Sequence, residues 1–458
     1  MHIDDTIAAI STPTGTGGIS IIRISGKKAV ETADRVFANN FGKTLKNAKT
    51  HTITHGYIKK SDGAVIDEAL VSVMLAPNSY TKEDVVEINC HGGIISTREI
   101  LSAVLESGAR LAEPGEFTKR AFMNGRMDLC EAESVIDIIN SKSSAAHRVS
   151  VNQLRGSLSE SIDRIREKLL TLISHLQVLI DFADEDLEPL SDEEYRSGLV
   201  NAVSDIERLL NTSLKGRIIK EGIKTAIVGK PNVGKSSLLN LLYGDERAIV
   251  TDIEGTTRDA IEESVMLGDL VLKIADTAGI RETSDTVESI GVEKSKSILK
   301  DADLVIYMTD ALQPLDENDR FIIESVKDKN AVALVNKSEN GVKTDVEEIR
   351  KSIEDVILFS VKEKTGVEKL RETVERMFES GKVENSDEAV ITNVRHTEAL
   401  TKAKKALKSA VEAIDSGIPL NMTFIDIENA ISALGEITGQ TVGEEIVDRI
   451  FHSFCVGK

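Results

Sequence analysis

One octapeptide constrains this chain more than any other feature. Gly229-Lys230-Pro231-Asn232-Val233-Gly234-Lys235-Ser236 follows the β-like run Ile223–Val228 and precedes a helix-like stretch, Ser237–Leu242. A GxxxxGKS run between a strand and a helix predicts a phosphate loop. Its glycines let backbone N–H groups close around phosphate oxygens. Lys235 adds a cation for the β and γ oxygens, and the Ser236 hydroxyl suits Mg²⁺. An α/β nucleotide domain is therefore expected, with Val233 and Ser237 completing the loop's wall.

Three downstream segments say which nucleotide. Asp276-Thr277-Ala278-Gly279 ends the apolar run Leu270–Ala275, as a carboxylate near Mg²⁺ followed by a γ-phosphate-sensing glycine should. The intervening polar stretch Thr251-Asp252-Ile253-Glu254-Gly255-Thr256-Thr257 is placed to be a switch loop, with a second Mg²⁺ hydroxyl from its threonines. Asn336-Lys337-Ser338-Glu339 ends the run Ala331–Val335, where GTPases read guanine. Ser360-Val361-Lys362 follows Val356–Phe359, in the place of the backbone-contacting guanine loop. Elements in this order predict a GTPase and not a generic ATPase. Glu339 departs from the aspartate expected there. Its extra methylene keeps the charge but must fold back to hold bidentate geometry, so a looser guanine preference is expected.

The hydrolytic apparatus is less conventional. Ras-like GTPases place a water-orienting glutamine just after DxxG, and here that position is Ile280, which has no polar side-chain atom. The acid best placed to substitute is Glu288, whose alternative reading is a solvated helix acid. Spacing alone discloses no arginine finger. The Asn232 amide, with carbonyls from Thr251–Thr256, offers oxygen ligands for a monovalent cation that would neutralise charge in the transition state.

The rest of the 458 residues extends well beyond one domain. The first ~115 residues read as an α/β unit, with strands at Ile19–Ile24, Val71–Leu75 and Val85–Ile88 and a helix over Ile95–Ser107. Gly15, Gly17 and Gly18 precede a strand and do not link one to a helix, which argues against a second phosphate loop. Gly92-Gly93 reads as a turn. From Thr118 the pattern becomes helical. Leu154, Leu158, Ile162, Ile165, Leu169, Leu172, Leu176 and Leu179 recur at steps of three or four, predicting one helix of ~30 residues and ~45 Å. Helical character returns over Thr397–Ile414 and Phe424–Leu434. The expected organisation is thus an N-terminal α/β domain over 1–117, a helical domain assembled from 118–216 and 381–458, and a Ras-like P-loop G domain inserted at 217–380.

Composition excludes some classes. The formal net charge of −20 argues against indiscriminate binding to nucleic-acid backbone, which needs Lys and Arg to displace counterions. No apolar run approaches the ~20 residues of a membrane span, and acids occupy the start where a secretory signal would be basic. Cys90, Cys130 and Cys455 form an odd set without CxxC spacing. A cytoplasmic protein is expected. The end of the sequence, Cys-Val-Gly-Lys, fits a prenylation box poorly.

Motifs along nearly the whole chain carry a resemblance: IIRISG, VEINCHGG, PGEFTKRAFMNGRMDL, IDFADED, GKPNVGKSS, TDIEGTTRD, DTAGIRET and FCVGK. On these the sequence resembles the MnmE (TrmE) family of tRNA-modification GTPases. The resemblance implies a homodimer that works with a flavin-dependent partner, MnmG (GidA), the FAD belonging to that partner. Together they place an aminomethyl-type (carboxymethylaminomethyl) group on position 5 of a tRNA wobble uridine. It implies a K⁺ site at Asn232, Thr251, Ile253 and Thr256, Mg²⁺ at Ser236 and Thr257, and an activating acid at Glu288. It also implies a tetrahydrofolate one-carbon derivative at Arg23, Glu87, Arg126 and Lys458, and a role for Cys455 in modification. Two other classes compete. A regulatory GTPase that only binds RNA or ribosomal particles would favour a compact basic appendage, and the flanks are acidic. A folate-binding scaffold with an incidental nucleotide site would have an impaired phosphate loop, and this loop is intact.

Overall fold

The computed structural model describes residues 5–39, 42, 44–181, 191–245, 263–274, 299, 301–378 and 388–458. Two compact units make up the chain. Residues 1–136, 153–203 and 402–458 form one, and residues 137–152 and 204–401 form the other.

A seven-stranded sheet organises the first unit: β1 (Ile7–Ile10), β2 (Ser20–Ser25), β3 (Phe37–Ala38), β4 (Thr52–Lys59), β5 (Val65–Met74), β6 (Val85–Cys90) and β7 (Arg110–Leu111). Their order is β3-β4-β5-β6-β2-β1-β7, with β7 parallel to β1 and the other neighbouring pairs antiparallel. Strand alternation decides the chemistry of each face. Ile22 and Ile24 of β2 enter a core with Ala29, Ala33 and Val36 of the helix Ala29–Val36 and Ile100 and Val104 of the helix Ile94–Glu106. Arg23, between the two isoleucines, is thereby turned to the opposite face. The two glycine-rich stretches meet each other, the Gly17 N–H donating to the Gly92 carbonyl at 2.9 Å. They are a structural joint.

Helices from both flanks of the nucleotide motif complete this unit. Leu158, Ile162, Ile165, Leu169, Leu172 and Leu176 are buried on one stripe of the helix Ser157–Asp181, which packs against the helix Phe424–Thr438. The expected leucine ladder is interrupted, however. Leu154 ends a separate helix, Ser144–Leu154, and the Gly156 N–H turns back to the Gln153 carbonyl at 2.9 Å before the next helix starts. The strut is therefore 25 residues long, roughly 37 Å at 1.5 Å per residue. A helix that periodicity did not suggest, Glu444–His452, buries Val447 and Phe451 beside Phe122 and Phe454.

The second unit holds a six-stranded sheet in the order β13-β12-β11-β8-β10-β9. Its strands are β8 (Ile223–Val228), β9 (Glu263–Leu267), β10 (Leu270–Ile274), β11 (Leu304–Asp310), β12 (Ala331–Asn336) and β13 (Asp355–Leu358). All neighbours pair in parallel except β9, which runs antiparallel to β10. Residues of β11 and β12 are buried throughout, as strands covered on both faces must be. Alternate residues enter two cores: Leu304, Ile306 and Met308 one, Val305 and Tyr307 the other.

Candidate functional site

β8 lies between β11 and β10, and the phosphate loop leaves its C-terminal end before the helix Lys235–Asp245. Ligands of open parallel sheets bind at that end of the strands. The loop is held by its own backbone. Lys235 Nζ donates to the Gly229 carbonyl at 2.5 Å and the Lys230 carbonyl at 2.6 Å, and burial lowers its pKa. Gly234 has φ +108°, and a Cβ there would lie 2.4 Å from Asn336 Nδ2. No other residue fits that approach.

Asn336 stitches the loop to the rest of the site. Its Nδ2 donates to the Val233 carbonyl at 2.8 Å, and its Oδ1 accepts from the Val361 N–H at 3.1 Å. Lys337, itself left-handed at φ 64°, donates from Nζ to Asp310 Oδ2 at 2.7 Å and to the Asn232 carbonyl at 3.3 Å. Burial of Asp310 is outweighed by that lysine, which holds the carboxyl below its ordinary range. Ser338 N–H and Oγ both donate to the Phe359 carbonyl, at 3.2 and 2.9 Å. Glu339 is exposed beside this wall. A hydrogen bond from the Ser360 hydroxyl, followed by its own backbone N–H, keeps its carboxyl below the usual value. Ser360 is buried and accepts from the Glu363 N–H at 3.0 Å, and Lys362 follows it in the same turn.

Thus Gly229, Asn232, Val233, Gly234, Lys235, Asn336, Lys337, Ser338, Glu339, Ser360 and Val361 are brought together, with Ser236 and Ser237 opening the helix. Thr251–Thr257, Asp276–Gly279, Ile280 and Glu288 lie outside the described residues. Asp310 was missed by sequence reasoning. The only signal for it was an acid ending an apolar strand.

A second constellation forms in the first unit. Arg23 and Glu87 are register partners on β2 and β6, and Arg23 Nε donates to Glu87 Oε1 at 2.8 Å. The Arg23 guanidinium lies 5.3 Å from the Tyr80 ring centroid and 5.6 Å from that of Phe117, and Arg126 lies 4.6 Å from Tyr80. The Tyr80 hydroxyl bonds the Thr118 hydroxyl at 2.9 Å. Residues 455–458 dock beside these groups. Cys455 and Lys458 carbonyls accept from Gly115 and Phe117 N–H groups, at 3.3 and 3.1 Å. The Gly457 carbonyl accepts from Ser11 Oγ at 2.9 Å and Arg23 Nη1 at 3.4 Å. Burial, then Arg23, lowers the Lys458 ammonium. Beneath them Arg120, fully buried, bonds Asp5 and Glu116.

Two guanidiniums, an ammonium, a carboxylate and aromatic faces suit a planar heteroaromatic ligand with an anionic tail. Tyr80 and Phe117 escaped the sequence reading. A lone aromatic in the polar run Asn78–Asp84 was a usable signal in a chain with 3% aromatic residues. Of the thiols, Cys455 is exposed, whereas burial pushes Cys90 up to about 11 and away from reactivity.

A phosphate loop at the end of a central parallel strand, stitched by Asn-Lys to a second loop, defines the P-loop guanine-nucleotide class. Two family models match the chain: the MnmE helical domain over residues 129–455, and the GTP-binding protein TrmE N-terminus over residues 6–126. The chain belongs to the MnmE family. The relatives named tRNA modification GTPase MnmE include those of Clostridioides difficile and Alkaliphilus oremlandii, each 47% identical over the full length of both chains. That of Thermoanaerobacter pseudethanolicus is 48% identical over 99% of each.

Proposed function

We propose that this chain is a GTP hydrolase acting in tRNA modification. The observation that carries the reading is the intact phosphate loop, with Lys235 at its centre and Asn336 joining it to Val361. The residues present fit GTP and Mg²⁺: the loop supplies backbone N–H groups and the half-buried Lys235 ammonium, and Ser236 lies in the first turn of the helix. Mg²⁺, when bound by Ser236 and Thr257, supplies charge neutralisation at the phosphates. K⁺, with ligands from Asn232, Thr251, Ile253 and Thr256, supplies the charge that an arginine finger would. Glu288 orients the attacking water.

The three-domain organisation, with the G domain at 217–380 inserted between helical segments, is part of the same reading. So is a cytoplasmic homodimer paired with a flavin-dependent MnmG-type partner, modifying position 5 of the wobble uridine. Among the described residues no helix is long and apolar enough to cross a membrane. The group around Arg23, Glu87, Arg126 and Lys458 fits a tetrahydrofolate derivative: its cations suit the glutamate tail, and Glu87 suits ring N–H groups. Cys455 stands next to that pocket.

Turnover in K⁺ and Na⁺ at equal ionic strength, for the natural chain and Glu288→Ala, tests the hydrolytic part. Hydrolysis is expected to be faster in K⁺, and the variant to lose roughly 10²–10⁴ in kcat with GTP affinity kept. Equal rates in both salts eliminate the cation site, and an unchanged kcat eliminates Glu288. Nucleoside analysis of tRNA from cells lacking the protein tests the wobble-uridine assignment.

A further inference from the structure

Lys230 is the second residue of the phosphate loop, and its side chain points away from the phosphate position. Its Nζ reaches Asp316 Oδ2 at 2.6 Å and Asp319 Oδ2 at 2.5 Å. Those aspartates already close a capping box on the helix Glu317–Ser325, each accepting the other's backbone N–H, at 3.0 and 3.1 Å. The second oxygen of Asp319 accepts from the Tyr307 hydroxyl on β11 at 2.9 Å. Only 1% of the Asp319 side chain is exposed, and Tyr307 is fully buried. Burial would lower the Lys230 pKa, but the Asp316 and Asp319 carboxylates outweigh it and hold the ammonium above its ordinary value.

Two features separate this contact from a simple pin between helix and sheet. The helix cap is complete without Lys230, since Asp316 and Asp319 satisfy each other's N–H groups. And the Lys230 carbonyl is one of the two acceptors that hold Lys235, so a shift of this backbone displaces the phosphate-binding ammonium. On the other side of the loop, Asn336 and Lys337 hold the Val233 and Asn232 carbonyls. The loop is fastened at both ends, once by each set of side chains.

We propose that Lys230 is a positioning residue for nucleotide binding, its ion pairs with Asp316 and Asp319 setting the phosphate loop at its working width before the ligand arrives. This rests on the nucleotide reading of the loop. A pre-set loop spares the ordering cost that binding would otherwise carry. Lys230 touches no phosphate in this scheme and acts through the backbone around Lys235.

The test titrates a fluorescent GDP analogue, mant-GDP, into the full chain and its variants, with thermal melts alongside. Lys230→Met should raise Kd roughly tenfold or more, as loss of a charge-assisted contact implies, while Lys230→Arg stays near the natural value. Asp319→Asn should weaken binding in the same direction, and Lys230→Met should add little to it. Arg217→Met, which removes a part-buried pair with Asp303 (2.8 Å) in the same unit, should lower the melting midpoint and leave Kd alone. Natural affinity in Lys230→Met, or in Asp319→Asn should the methionine variant not fold, overturns the proposal. So does failure of arginine to rescue, or an Arg217→Met shift in Kd matching that of Lys230→Met. If the unaltered chain does not bind mant-GDP, the nucleotide reading itself has failed.

Discussion

The phosphate loop and the pocket around Arg23 both gather polar groups, and the chain builds them in opposite ways. The loop spends consecutive residues, Gly229 to Lys235, and presents mostly backbone. The pocket draws one or two side chains each from β2, β6, the Tyr80 loop, the helix Glu116–Met123 and its following turn, and the tail at 455–458. Arg23 and Gly457, which touch, stand 434 residues apart. A site made of backbone needs a particular short sequence, because only certain residues permit the shape. A site made of distant side chains needs only a few residues, each with nothing unusual beside it.

The largest expected effect breaks the loop and spares the pocket. Gly234→Ala forces a side chain onto φ +108° and against Asn336 Nδ2. Strain of ~1–2 kcal/mol plus a lost buried hydrogen bond of ~1–3 kcal/mol should reduce mant-GDP affinity about 10²-fold. Calorimetry with 5-formyltetrahydrofolate should show no change. Next, Gly457→Ala breaks the pocket: its Cβ would lie 2.1 Å from the Ile10 carbonyl at φ +95°. Folate affinity should fall roughly tenfold while mant-GDP binding stays put. A matching loss of nucleotide binding would mean that the two sites are not separate.

A smaller effect asks whether the pocket's aromatic partner matters. Tyr80→Leu removes the ring beside Arg23 and Arg126, each contact worth about 0.5–1 kcal/mol at exposed sites, and should weaken folate binding several-fold. Unchanged affinity in calorimetry would reduce Tyr80 to packing. The smallest effect sharpens the loop side. Glu339→Asp should tighten guanine-nucleotide binding by no more than about one ordinary hydrogen bond, 0.5–1.5 kcal/mol. Ser360 already restrains the longer side chain. Weaker binding by the aspartate variant would show that Glu339 is fitted to its place.

Legibility follows the same division. β8 occupies the very residues expected of it, and the helix after the loop begins at Lys235, because strand, loop and helix there are dictated by neighbours in sequence. The stripe from Leu158 to Leu176 was legible for the same reason, whereas the break at Arg155-Gly156 was hidden by hydrophobic spacing that continues in phase across it. Asp310, Tyr80 and Phe117 were not legible from periodicity, since their roles depend on pairing across the fold. Arg23, Glu87, Arg126 and Lys458 were reached through family motifs alone. The register that sets Arg23 opposite Glu87 is a product of antiparallel pairing, and no local pattern encodes it.

The docking of Gly457 against Ile10 and Arg23 also has a clock in it. Ribosomes add about 5–20 residues per second, so β1 to β7 are all synthesised roughly 17–70 seconds before residue 457 exists. During that interval the Gly457 carbonyl that Ser11 and Arg23 will bond does not yet exist, and the Arg23 pocket has no Lys458. The nucleotide loop waits for far less: among the described residues, the turn at Ser360–Val361 that Asn336 joins to it comes some 130 residues after Gly229. A ribosome stalled past residue 401, where the second unit ends, would carry that unit complete and the Arg23 pocket still unclosed.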